Sequence, residues 1–235
     1  MLKHNLLKIC DYGEKGFDRV KIETISFLVD TSPNKKHSRD IIIESFVDNS
    51  YSLKAKDYVF DKKFPYWLIY RNKKFDEVIT KMKLDIFRSF RDRQITKPLT
   101  KNEGKIRVLK SRNIGNNEIK KLENYDCYVD DYQKLAVAKF LNQDNVVMVP
   151  NLTYYPRASF LPKNTIVDGS VALLTRKNGS RKPTEKDLAY YNSSEFESYY
   201  RVARNFGTRS LNIDQNSVYF FGLLRNYERT DRAVF

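Results

Sequence analysis

The sequence predicts an α+β protein: a mixed β-sheet with packed helices, preceded by a small unit of strands and one helix. Three observations predict it. Strand-type and helix-type periodicities intermix along the chain, the intermixing lacks the strand–helix alternation of a parallel α/β fold, and the composition supplies a core. The 235 residues are 41% hydrophobic and 31% charged, with fifteen Phe, sixteen Tyr and one Trp against eight Gly and seven Pro. A chain of this kind folds without staples and is long enough for two domains.

The elements follow in order. Residues 19–29 alternate polar and apolar, residues 31–34 (Thr-Ser-Pro-Asn) break the pattern, and residues 41–47 resume it, which predicts a hairpin with a long loop. After the aromatic run 64–70, Phe75, Val78, Ile79, Met82 and Ile86 recur at helical spacing and predict a helix over 74–87. Residues 105–109 and 146–149 read as strands, the second stopped by Pro150, and Asp131 is placed to cap a helix running to Phe140. A turn at Asp168-Gly169 opens a strand over 171–174. Ser194 with Glu197 three residues on predicts a capped helix whose inner face carries Phe196, Tyr199, Tyr200 and Ala203, ended by Gly207, and residues 217–221 predict a last strand.

Several chemistries are excluded at this level. Cys10 and Cys127 lie far apart with only His4 and His37 to join them, so they read as reduced core thiols and no zinc cluster forms. Neither histidine is placed to serve a nucleophile as base. The Glu118-Ile119-Lys120 triplet is a poor nuclease match in a polar stretch, and the two glycines of Tyr12–Phe17 lack a strand-to-helix context. Nowhere do 18 apolar residues follow one another, so the chain is expected to be soluble and cytoplasmic, without a membrane partner.

Charge carries the functional signal. Forty-three Lys and Arg against 29 Asp and Glu leave +14, a balance that favours a polyanionic partner. The charge is banded: residues 81–121 hold 13 basic and 4 acidic side chains, a net +9, and residues 157–186 hold a net +5. A lysine-rich solvated face would also give bands. The last 35 residues, however, contain six Arg and no Lys, and the planar guanidinium suits phosphates and guanine edges better than a point charge. The +9 shift places a domain boundary near 85, giving units 1–85 and 86–235.

Within the second unit the candidate DNA-binding residues are Arg91 and Arg93, Lys110 and Arg112, the loop residues Tyr154, Tyr155 and Arg157, then Arg176, and finally Arg204, Thr208, Arg209 and Ser210. The tyrosines are suited to stacking on bases, or alternatively to capping the core. Arg204 and Arg209 flank a turn dense in amide and hydroxyl groups, although Arg209 could instead pair with Asp214 and brace it.

Three stretches then resemble the target recognition domain of type II adenine-specific DNA methyltransferases, a relative of the half-domains in type I restriction specificity subunits. They are residues 90–95 with 106–114, residues 166–174, and residues 191–196 running through 204–213. Residues 20–47 are loosely similar to the closing β-hairpin of such an enzyme's catalytic domain, so residues 1–85 read as its remnant with a connecting helix. The family's methyl-transfer site needs Asn or Asp before Pro-Pro and an aromatic residue. No Pro-Pro occurs here; Lys63-Phe64-Pro65-Tyr66 is the nearest stretch, and the glycine-rich cofactor motif is missing too. The resemblance therefore implies a chain that reads double-stranded DNA as the specificity portion of an N6-adenine methyltransferase in a restriction-modification system. It implies no catalysis by this chain alone and no cofactor in it, S-adenosylmethionine belonging to the complete enzyme, and a catalytic domain or subunit as a further partner. Three alternatives stay open: a half-specificity subunit docking on separate modification or restriction subunits, an RNA-binding module, and an intact nuclease, which would need metal-dependent cleavage.

Overall fold

The computed structural model describes residues 4–32, 37–207 and 213–225, and its fold is α+β. The first part of the chain contains β1 (Asn5–Gly13), β2 (Thr24–Asp30), β3 (Asp40–Ser45), β4 (Ser50–Ala55), the single turn α1 (Lys56–Val59), α2 (Lys73–Lys81) and β5 (Met82–Lys83). The four long strands form one sheet in the order β2-β1-β3-β4. The hairpin expected from residues 19–29 and 41–47 is not made. Both strands pair with β1 instead, β2 antiparallel and β3 parallel to it. β1 takes the inner position because Leu6 and Ile9 are buried on one face while Lys8, on the other, is held by Glu44 at 2.6 Å. Residues 19–23 fall outside the strand, with Arg19 in the left-handed region (φ 59°).

Asn72 caps α2 by accepting a bond from Phe75 N. The helix stops at Lys81 rather than 87, because Met82 turns extended and joins a short ladder at the far end of the chain. Ile86 is buried all the same, at the entry to the next strand.

The middle of the chain supplies β6 (Phe87–Arg91), β7 (Ile106–Leu109), β8 (Cys127–Val129), β9 (Val147–Pro150), β10 (Ser159–Phe160), β11 (Thr165–Val167) and β12 (Val171–Arg176). They form a sheet β10-β9-β12-β6 and a smaller one, β11-β7-β8. The helix expected over 131–140 is two 3₁₀ turns, Tyr132–Lys134 and Ala136–Phe140. Leu135 between them is extended, and the Asp131 side chain makes no capping bond.

The central sheet explains the uninterrupted apolar runs in β9 and β12, since both of its faces are covered. Val147, Val149, Ala172 and Leu174 enter the larger core, whereas Met148, Val171 and Leu173, one residue out of phase, enter the smaller one with Val108, Ile166 and Phe140. The larger core also draws on Ile9, Ile43, Leu68 and Phe75 from before residue 85 and on Tyr199 and Phe220 from the end of the chain. Phe75 and Tyr199 stack there with ring centroids 4.9 Å apart.

The last elements are α3 (Glu185–Tyr191), α4 (Ser194–Ala203) and β13 (Leu223–Leu224), which pairs with β5. The cap of α4 is Ser193 rather than Ser194, its hydroxyl accepting from Phe196 N at 3.2 Å. The helix also ends earlier than Gly207: Asn205 and Phe206 take left-handed φ of 48° and 53° and reverse the chain. The expected strand over 217–221 is a 3₁₀ turn, Ser217–Phe220, because Asp214 Oδ1 accepts from Asn216 N and Ser217 N and starts a helical rather than an extended path. Cys10 and Cys127 are free thiols. Among the described residues no group of three or more acidic, histidine or cysteine side chains could hold a metal, and no helix is long and apolar enough to cross a membrane.

Asp187 ties the end of the chain to this framework. Fully buried, it accepts from Arg181 Nη1 and Nη2 (2.6 and 2.7 Å), from Thr184 N and Oγ1, and from Leu224 N. Burial alone would raise its pKa, but the bonds from Arg181, Leu224 and Thr184 outweigh burial and hold the carboxyl below its ordinary value. The folded state thus binds this proton more weakly than the unfolded chain. Its stabilisation is complete above the ordinary carboxylate pKa of about 3.9 and fades as the pH falls through that range. Asp187→Ala is expected to cost about 3–5 kcal/mol at neutral pH, seen as a lower Tm, and the gap to wild type should narrow when melts are repeated near about pH 3.

Candidate nucleic-acid interface

Six of the predicted residues meet along one edge of the two middle sheets, joined by a continuous chain of hydrogen bonds. Arg91, the last residue of β6, donates to Gly169 O from Nε and Nη2 (3.4 and 3.2 Å). Its Nη2 also lies 2.9 Å from the Asn151 amide oxygen when that amide is oriented to donate to Ile213 O. Gly169 sits hard against the strand end. A Cβ there would lie 2.7 Å from Asp92 O, so only glycine lets the 168–170 turn approach Arg91.

The next residue, Ser170, accepts from Ser111 N at 2.9 Å and so fixes the turn carrying Lys110 and Arg112. That turn is shaped by buried Asn113, whose Oδ1 accepts from Lys110 N and whose Nδ2 donates to Asp126 Oδ1 (2.9 and 2.6 Å). Holding Asp126 brings Tyr125 beneath the two cations. Lys110 Nζ lies 4.0 Å and Arg112 Cζ 4.8 Å from its ring centroid.

Arg157 closes the network. It donates from Nε to Ile114 O (2.7 Å), from Nη2 to Ser111 O (3.2 Å) and from Nη1 to Thr153 Oγ1 (3.0 Å), tying the 151–157 loop to the Lys110 turn. Its guanidinium has no carboxylate partner among the described residues, and burial lowers its pKa. Arg157 therefore braces the loop, while Tyr154 and Tyr155 stand out from it into solvent. They do not cap the core.

The remaining candidates lie elsewhere. Arg93 follows Arg91, is exposed, and has no hydrogen-bond or ionic partner among the described residues. Arg176 ends β12 at the opposite end from Val171 and donates to Ser180 O. Arg204 is partly buried at the end of α4: Nη1 is 3.4 Å from Tyr66 Oη and 3.6 Å from Asp214 Oδ2, and Nε is buried without a partner among the described residues. Burial pulls its pKa down, but Tyr66, Tyr200 and Asp214 outweigh that and raise it. It lines a cavity of about 380 Å³ between the first sheet and the α4 exit, together with Asp11, Phe27, Trp67 and Phe206. Thr208, Arg209 and Ser210 lie outside the described residues. The flanking Ile213 is bonded to Asn151 through its own N–H (3.2 Å).

Three participants carry no motif in the sequence. Tyr125 stands in an acidic stretch, Leu152 is an exposed apolar residue beside the tyrosines, and Arg201 donates to Tyr154 O at 3.0 Å while paired with Glu197. Exposure identifies Leu152, whereas Tyr125 and Arg201 are identified only by their contacts with Lys110, Arg112 and the Tyr154 carbonyl. No protein-family model matches the chain, and no curated protein matches it.

The two arginine roles separate experimentally. Arg157→Ala strands three acceptors and is expected to cost about 1–3 kcal/mol, lowering Tm by several degrees. Arg112→Ala removes only a cation–ring contact at the surface and should stay within about 0.5 kcal/mol of wild type in the same melt.

Proposed function

We propose that the chain binds duplex DNA in a sequence-specific manner, as the specificity portion of an N6-adenine methyltransferase acting in the cytoplasm, without methyl-transfer activity of its own. One observation carries the reading. Arg91, Lys110 and Arg112 share a surface with exposed Tyr154 and Tyr155, and none of the three cations has a carboxylate partner among the described residues. Four arginines elsewhere are neutralised locally: Arg71 by Asp61 and Asp76, Arg107 by Asp126, Arg181 by Asp187, Arg201 by Glu197. Cations left without anions at one place are an anion-binding surface, and flanking aromatic side chains suit it to nucleic acid rather than to a small anion.

A second feature supports the expected catalytic partner. On the outer face of the first sheet, Lys8 lies opposite Leu28 and beside Ile42, and the same face continues to Leu53 and Tyr51 on β4. Leu28, Tyr51 and Leu53 are all exposed there, which suits a face buried against another domain or subunit.

Binding measured by gel shift on duplex and single-stranded DNA at several salt concentrations tests the reading. With about six phosphates engaged, log affinity against log salt should slope near about −5 for duplex. Lys110→Ala and Arg112→Ala should each reduce the slope by about 1 with Tm little changed. A flat salt dependence, or tighter binding to single strands, contradicts it.

A further inference from the structure

We propose that residues 152–155 form a preformed apolar wedge that enters the duplex between two stacked base pairs and unstacks them; the proposal rests on the duplex-binding reading above. The side chains of this loop sort cleanly. Asn151, Thr153 and Pro156 are buried, whereas Leu152, Tyr154 and Tyr155 are 59%, 72% and 51% exposed. Neither tyrosine stacks on another aromatic ring among the described residues, and the nearest cation to Tyr155 is Arg157 at 5.8 Å from its centroid. Three large, mainly apolar side chains thus project from one short loop with none of the described residues folded over them.

An exposed apolar loop is ordinarily free to collapse onto its own protein. This one is held out. Thr153 Oγ1 donates to Tyr155 O and accepts from Arg157 Nη1, Arg201 Nη2 donates to Tyr154 O, and Asn151 N donates to Ser170 O at 2.8 Å. The loop is therefore braced by its own hydroxyl, by Arg157, by α4 and by the 168–170 turn. The ordering entropy that insertion would otherwise cost is met during folding, the condition under which a rigid projection binds well.

The surroundings select the occupant. Arg91, Lys110 and Arg112 reach the same network through Ser170, Ser111 and Arg157, so the wedge rises from a field of uncompensated positive charge. A protein partner with an apolar socket would have to desolvate or neutralise those cations, whereas a duplex brings phosphates to them and base faces to the rings. Two tyrosines and a leucine offer stacking surface and bulk rather than a pattern of donors and acceptors. Their contribution to specificity is thus to favour a step that unstacks readily, a pyrimidine–purine step, at a position the arginines do not read.

The test uses the full chain and duplexes that it selects from a randomised pool, with 2-aminopurine substituted at one position at a time. Insertion should raise the fluorescence several-fold at a single step, and the selected sequences should carry TA or CA/TG there. The Tyr154→Ala/Tyr155→Ala variant should lose that rise and bind about ten-fold more weakly with an unchanged salt slope. Tyr154→Phe/Tyr155→Phe, which keeps the rings, should retain both. If the double alanine variant melts early, Tyr154→Ala alone provides the same comparison. Tight, salt-dependent binding with no bright step in wild type, or a bright step that survives loss of the tyrosines, overturns the wedge and leaves the DNA reading standing. Failure to enrich any duplex from the pool overturns both.

Discussion

Arg157 is the constraint on which the candidate surface depends. Its guanidinium joins its own loop to a turn from a distant part of the chain, with no carboxylate partner among the described residues and its donors on Ser111 O, Ile114 O and Thr153 Oγ1. Carbonyl acceptors hold a half-buried cation without cancelling its charge, so the bracing residue leaves the local potential positive. Replace those carbonyls with an aspartate and the geometry could persist, but the field would weaken. The same economy appears at Arg91, which is oriented by Gly169 O and the Asn151 amide.

Against that background two sets of cations stand out within the +14 of the sequence. One is structural: Arg71 between Asp61 and Asp76, Arg107 on Asp126, Arg181 on Asp187 and Arg204 near Asp214 hold elements together, and their charge is balanced where it stands. The other, Arg91, Lys110 and Arg112, gathers at one edge of the middle sheets with no carboxylate partner among the described residues. Long-range attraction of a polyanion is governed by the second population, since paired charges contribute little beyond a Debye length of about 8 Å. Net charge alone could not make this division.

Much of the fold was legible because some elements need only local information. The runs ending at Pro150 and Leu174 are apolar at every position, which is how a strand reads when both its faces are covered, and both are strands. Other elements depend on partners far away in sequence. β1 carries Lys8 and Asp11, which interrupt any apolar pattern, and becomes a central strand because Glu44 and the Tyr70 hydroxyl satisfy them. The buried aromatic run 217–221 reads as a strand by composition, yet the Asp214 cap just before it wins locally. At the candidate site the residue types were legible and their convergence was not. Arg91, Lys110 and Arg157 are joined through Gly169, Ser170 and Ser111, residues whose place in the sequence marks a turn or a resembling stretch but not their mutual contact. Arg204 was chosen for its neighbours in sequence, but it is held by Tyr66, 138 residues earlier.

Hydrogen exchange of the full chain with and without bound duplex tests the central claim most directly, because it maps the contact surface without altering a residue. Slowed exchange is expected in residues 91–95, 110–114, 151–157 and 168–170, the segments linked through Arg157, with the outer face of the β1–β4 sheet unchanged. Slowing confined to that sheet, or none in the four linked segments while DNA is bound, would contradict the account.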